Sequence, residues 1–301
     1  MPELLDEVHW CLENTPTKFI LCGSSARKLR HGAANLLGGR AWRFELFPFT
    51  TSEIGDTDLG RVLNHGLIPR HYLDDRPERA LLAYVADYID QEIRSEALTR
   101  NVPGFARFLD AAALSHGELI NFANIGRDCG VSSKTVREYY QILEDTLLGH
   151  RLEPWRRSRN RRLIETAKFY LFDPGVVRAL KGMPSIQPRT DEFGRAFEHF
   201  LIEEVRAHLS YREKHLPLSF WRTSTGLEVD LLVGRIDAAV EFKATEEVRP
   251  QHLKGLVALM EDQKVGHAFV VSLDPAPRKM GDILVLPWRE FCRRLWADEI
   301  V

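Results

Sequence analysis

Apolar positions recur at helical spacing from Pro2 to Asn14, where Leu4, Leu5, Val8, Cys11 and Leu12 make one face and Pro2 sits in the first turn. Asp6 and Glu7 fall on the surface of that helix, because no apolar strand precedes them. Two short apolar runs, Lys18–Leu21 and Phe44–Phe47, predict strands. A polar, Gly-rich loop and a helical segment lie between them. Helical spacing returns over Glu78–Ala97 (Leu81, Leu82, Val85, Tyr88, Ile89) and over Phe105–Leu114. Next, Ile125, Cys129, Val131, Val136, Tyr140 and Leu143 stand where a helix-turn-helix is locked together, with Gly130 for the turn and Ser132 or Ser133 as cap. Gly149–Trp155 and Phe169–Phe172 read as the two strands of a wing, and Gly182–Arg189 as a Pro-containing linker.

The last third alternates more clearly. A long helix carries the stripe Phe193, Phe197, Leu201, Val205 and Leu209. Strands follow at Leu218–Arg222, Leu227–Val233 and Ala238–Ala244. Then come a helix at Gln251–Met260, strands at His267–Ser272 and Ile283–Leu286, and a helix at Pro287–Trp296. This order predicts a multidomain α/β chain. The expected divisions are 1–70, 71–185 and 186–301.

The hairpin Gly226–Lys243 holds the sharpest chemistry. Strict alternation sends Val229, Leu231 and Val233 to one face and Glu228 and Asp230 to the other. On the second strand Val240 and Phe242 share a face, opposite Glu241 and Lys243. The turn therefore can gather Asp230, Glu241 and Lys243 at one spot. Two carboxylates and an ammonium are costly on an apolar hairpin without a use. Hard oxygen ligands suit magnesium, which would activate a water and stabilise phosphate charge, with the lysine adding a fixed positive charge. The rival reading is a pair of ordinary strand-edge carboxylates balanced by Lys243.

The second helix of the helix-turn-helix exposes Lys134, Thr135, Arg137 and Glu138, positions from which such helices reach DNA base edges. Arg156, Arg157, Arg159, Arg161 and Arg162 crowd the wing and suit phosphate contacts. A packing unit with a solvated charged loop is the plainer alternative. The net charge of −2 means that any nucleic-acid surface is local. Four cysteines without CxxC spacing read as reduced thiols of a cytoplasmic protein, and no run is long enough to span a bilayer. The eleven histidines show no HxH or HExxH spacing that would point to zinc.

Asp230 followed by Glu241-Phe242-Lys243 resembles the PD-(D/E)XK nuclease superfamily. That resemblance implies a restriction-endonuclease-like C-terminal domain and a further acid on the preceding helix, which here matches Glu198. It makes Glu198, Asp230 and Glu241 the magnesium ligands and Lys243 the residue assisting the attacking water. FILCGSSARKLR and LLGGRAWRFELFPFTTSEIG resemble the AAA-type ATPases of bacteria and archaea that carry a C-terminal domain of unknown function, and ILEDTLLGHRLEPW through KFYLFDPGVVRAL resembles the later half of the same family. Cys22, Gly23, Ser24 and Ser25 match its Thr-Gly-Ser sensor segment, with cysteine where threonine is usual, and Gly39-Arg40 matches its Gly-Arg. No GK[ST] motif occurs in the chain, so phosphate cradling lacks its loop. Residues 1–70 are accordingly expected to be an ATPase remnant, with Ser24 and Arg40 as remnants of a nucleotide site and no hydrolysis of ATP by this chain alone. The expected function is a DNA-associated protein with a magnesium-dependent phosphodiesterase site. The alternatives are a non-catalytic DNA-binding or regulatory protein, or an ATP-binding protein completed by a partner chain or a second copy.

Overall fold

A computed structural model describes residues 2–22, 42–56, 58–89, 101–158 and 160–301. The segment 23–41, with Ser24, Ser25 and Arg40, lies outside the described residues, as do 90–100 and Arg159. Helix α1 spans Pro2–Asn14 and exposes Asp6 and Glu7. The expected strands Lys18–Leu21 and Phe44–Phe47 are irregular backbone. A strand needs a hydrogen-bonded neighbour, and neither run has one among the described residues. Four short helices follow: α2 (Thr51–Ile54), α3 (Leu59–His65), α4 (Pro69–Leu73) and α5 (Pro77–Ala83). The helix expected from Glu78 passes into a π-turn at Tyr84–Ile89.

Helices α6 (Val102–Leu114), α7 (Phe122–Cys129) and α8 (Ser133–Asp145) enclose the middle core. Gly130 ends α7 in the left-handed region (φ 69°, ψ 35°), which glycine adopts without a Cβ penalty. Ser132 caps α8 by accepting the Thr135 N–H at 3.1 Å. Ile125, Cys129, Val136, Tyr140 and Leu143 are all buried where the two helices meet. Strand β1 (Gly149–Pro154) pairs antiparallel with β2 (Lys168–Leu171), and α9 (Pro174–Leu180) follows.

The long helix α10 (Asp191–Tyr211) starts on Thr190, whose hydroxyl accepts the Phe193 N–H. After it come β3 (Leu218–Arg222), β4 (Glu228–Val233), β5 (Ala238–Lys243), a 3-10 turn at Pro250–Leu253, α11 (Lys254–Asp262), β6 (His267–Ser272), β7 (Arg278–Met280), β8 (Ile283–Pro287) and α12 (Trp288–Trp296). Among the described residues the strands form one mixed sheet in the order β2-β1-β3-β4-β5-β6-β8-β7. β1 is parallel to β3, so the sheet runs across the expected division at residue 185. Helices α10 and α12 cover one face, packing Phe197, Phe200 and Phe291 on Leu231, Val240 and Phe269. Helix α11 covers the other through Leu256 and Leu259.

The hairpin departs from strict alternation. Ser219 pairs with Leu232 but Trp221 with Val229, so Asp230 and Leu231 together oppose one residue of β3. This bulge puts Val229 and Leu232 under α11 and Leu231 and Val233 under α10. The expected grouping of Val229 with Leu231 and Val233 is therefore corrected: the extra residue shifts the period.

Candidate functional site

The bulge sits where β4 and β5 part. The ladder between them covers Leu231–Val240, Leu232–Ala239 and Val233–Ala238, and leaves Asp230, Glu241 and Lys243 beyond its end. Asp230 fills the gap by accepting the Phe242 backbone N–H on Oδ2 at 2.8 Å. Lys243 Nζ lies 2.6 Å from Glu241 Oε1. Glu241 is 6 % exposed, and its second oxygen, Oε2, is buried with no hydrogen-bond partner.

Helix α10 brings Glu198 to the same place from above. Its carboxylate accepts the Tyr170 hydroxyl at 2.6 Å and lies 3.3 Å from Lys168 Nζ. Lys168 also meets Glu228 at 2.7 Å, and Arg222 holds the other Glu228 oxygen at 3.1 Å. The charges act on one another across this cluster. Burial, then the negative charge of Glu198, pushes Asp230 up to about 6, against the pull of Lys243 and Lys168. Burial, then Asp230, holds Glu241 well above the usual carboxylate range. Burial opposes the Lys243 ammonium, but Asp230 and Glu241 outweigh it and raise its pKa. Lys168 is raised in the same way by Glu198. Both lysines are therefore cations throughout the neutral range.

Glu198, Asp230, Glu241 and Lys243 thus form one electrostatic unit. Among the described residues, however, no group of three or more His, Cys, Asp or Glu is arranged to hold a metal ion. Each of these carboxylates already has a protein partner: Lys168 and Tyr170 take Glu198, Lys243 takes one oxygen of Glu241, and a backbone N–H takes Asp230.

Tyr170 stands in a buried cluster. His150 stacks on its ring at 5.8 Å, and His116 meets it edge-on at 5.3 Å. His199 donates from Nε2 to Leu171 O at 2.6 Å, while His116 Nδ1 accepts the Leu171 N–H at 3.1 Å. Burial lowers the pKa of all three histidines. His116 and His199 clamp the end of β2 at Leu171, while His150, whose ring nitrogens have no hydrogen-bond partner among the described residues, only stacks on Tyr170.

Residues 56–187 match a family model described as a domain of unknown function, DUF8612, and residues 193–291 match another, DUF4143. The chain is also similar to two curated mycobacterial proteins. Over 261 residues it is 24 % identical to the uncharacterized protein Rv2008c of Mycobacterium tuberculosis (strain ATCC 25618 / H37Rv) and 24 % identical to the uncharacterized protein Mb2031c of Mycobacterium bovis (strain ATCC BAA-935 / AF2122/97). Each alignment covers 85 % of this chain and 58 % of the relative, so the chain spans less than two thirds of the relatives' length. No solved structure matches the chain. Among the described residues, no helix is long and apolar enough to cross a membrane.

The basic residues divide. Lys134 and Arg137 are exposed on α8, although the Arg137 guanidinium lies over the Phe122 ring at 4.7 Å. Thr135 is half-buried and bonds Ser132. The Arg-rich connection does not project as a free wing tip. Trp155 N donates to Phe220 O and Ile164 N to Arg222 O, which lays it along β3. Arg161 pairs with Glu261 of α11 at 2.9 Å and Arg156 with Glu153 at 3.2 Å, leaving Arg157 and Arg162 exposed. Sequence reasoning missed Lys168, Tyr170 and Arg222 as parts of the site. Lys168 merely precedes an apolar strand, and only the β1–β3 pairing brings it to Glu198.

Proposed function

We propose that this chain is a DNA-associated protein with a magnesium-dependent phosphodiester-cleaving site of the PD-(D/E)XK kind at the open end of β4 and β5. The observation that carries the reading is the meeting of Glu198, Asp230, Glu241 and Lys243 there, with Glu241 Oε2 buried and unpartnered. Glu241 Oε2 supplies one free hard oxygen donor, and Glu198 and Asp230 would complete a site for a magnesium ion on letting go of the Tyr170 hydroxyl, the Lys168 ammonium and the Phe242 N–H that now hold them. Glu198, Asp230 and Glu241 would hold it, and it would supply an activated water and neutralise phosphate charge. Lys243 keeps a third of its side chain exposed, so its ammonium can also meet a phosphate oxygen at the mouth of the site. The α7–α8 unit and the exposed Arg157 and Arg162 would hold the duplex through its phosphates.

DUF4143 is commonly found with AAA ATPase-like proteins, which supports the kinship inferred from the Ser24 and Arg40 segment. We attribute no ATP hydrolysis to this chain, which has no GK[ST] loop. The test is nicking of supercoiled DNA with magnesium by wild type and by Asp230→Ala. Wild type is expected to nick, and the variant to lose at least a hundredfold in rate. No cleavage by wild type, or equal cleavage by both, overturns the reading. The second reading, a DNA-binding protein that keeps the fold without catalysis, draws on the lysines that already occupy Glu198 and Glu241. It predicts duplex binding without nicking.

A further inference from the structure

Three cations and the ring of His116 line a cleft between α9, the turn after α6 and the first turns of α10. His116 is 3 % exposed. Its Nδ1 accepts the Leu171 N–H at 3.1 Å, and a backbone N–H can only donate, so Nδ1 carries no proton. Burial, then His199 and Lys181, holds its pKa well below the usual histidine range, so the neutral ring keeps its proton on Nε2. That Nε2–H is buried and has no hydrogen-bond partner among the described residues. A buried donor with its bond unmade is costly and calls for an acceptor.

The cleft is also positive. Arg178 is 4 % exposed and donates to the backbone carbonyls of Asn64, Met183 and Pro184, with no carboxylate paired to it among the described residues. Lys181, next after α9, meets Glu192 at 3.0 Å, and Arg195 pairs with Glu118. Those two cations are balanced, so Arg178 leaves one surplus positive charge, which burial makes unfavourable. The open space is about 290 Å³, but its enclosed part admits a group of only about water size. A divalent oxyanion exceeds both the charge and the room.

We propose that this cleft binds one small monovalent anion, which accepts the His116 Nε2–H, lies beside Lys181 and balances the charge of Arg178. A water molecule there satisfies the N–H but leaves the charge uncompensated. A halide and a leading oxygen of a small carboxylate offer the same chemistry, one negative charge and an acceptor. The site is separate from the carboxylates of the proposed cleavage reaction and does not depend on them.

The test is nuclear magnetic resonance of the full chain with 15N-labelled histidine, titrated at fixed pH with sodium chloride, sodium acetate and sodium sulfate over the same range of ionic strength. His116→Asn identifies the signal, because asparagine can still accept the Leu171 N–H but has no Nε2–H. The His116 Nε2–H signal is expected to shift and saturate with chloride or acetate and not with sulfate. A response to chloride alone identifies a halide site, a response to acetate alone a carboxylate site, and a response to both a site that reads charge only. Lys181→Met is expected to weaken binding about tenfold or more, the loss of a charged contact, and Lys181→Arg to match wild type. Should the methionine variant not fold, Arg195→Gln at the exposed rim leaves Glu118 unpaired, cancels the surplus charge and carries the same expectation. No shift with either monovalent salt, an equal shift with sulfate, or unchanged affinity in the uncharged variant overturns the proposal.

Discussion

Glu203 shows how burial alone sets a side chain's chemistry. It lies on α10 among Arg206, His150, His199 and Asp173, with Oε2 bonded to Arg206 at 2.6 Å and Oε1 3.4 Å from His150 Nδ1. Burial, opposed by Arg206, lifts its pKa from 4.5 to about 7. Between those values the folded chain holds a proton that the unfolded chain has released, so stability falls as pH rises. The contribution is fully present below the unfolded value and gone above the folded one. Replacing Glu203 by Gln removes the effect. Urea unfolding at pH 5 and pH 8 is expected to show Glu203→Gln gaining on wild type by about 3 kcal/mol at most between the two. No difference in pH slope would mean that Glu203 is ionised in the folded state. The residue was legible in the sequence only as one acid of a helix, because the side chains buried beside it, His150 and Asp173, come from β1 and the start of α9.

Among elements, α10 and the β4–β5 hairpin carry the site, and α11 holds the hairpin in shape. Gly255, in the first turn of α11, passes so close to β4 that an added Cβ would stand 1.8 Å from Glu228 O. That atom is backbone and cannot swing aside. Gly255→Ala is expected to push α11 off the sheet, destabilise the chain by about 1–3 kcal/mol and lower nicking through the displaced Glu228 and Asp230. A variant as stable as wild type in urea would refute the close packing. The stripe Phe193, Phe197, Leu201, Val205 and Leu209 was readable from spacing, and all five are buried. The bulge at Asp230 was not. Alternation along a strand presumes one residue facing one, and an inserted residue shows only when the partner strand is present.

At the level of the whole molecule, the eight-stranded sheet joins the helix-turn-helix region to the carboxylate site through β1 and β2. Any duplex held by the exposed Arg157 and Arg162 lies beside the connection that ends at Lys168. Each phosphate neutralised by an arginine adds about 0.9 to the slope of log affinity against log salt. The double variant Arg157→Ala, Arg162→Ala is therefore expected to lower that slope by about 2 and to weaken binding to unrelated duplexes alike. Fluorescence anisotropy across a salt series measures this, and an unchanged slope would remove both residues from the DNA path. Arg161, tied to Glu261, is expected to contribute less.

Local rules settled much of this protein before any coordinates. Periodicity located the helix-turn-helix, the wing strands, α10 and the hairpin, because helix and strand periods, caps such as Ser132 and turns such as Gly130 depend on residues within a few positions. Spacing also brought Asp230, Glu241 and Lys243 to one end of one hairpin. Tertiary pairing decided the rest: that β1 lies parallel to β3, that the Arg-rich connection lies along β3, and that Lys168 and Tyr170 reach Glu198 across the sheet. Those contacts join residues 28 or more positions apart. Charge pairing over such separations depends on which strands are neighbours, and local spacing does not encode that order.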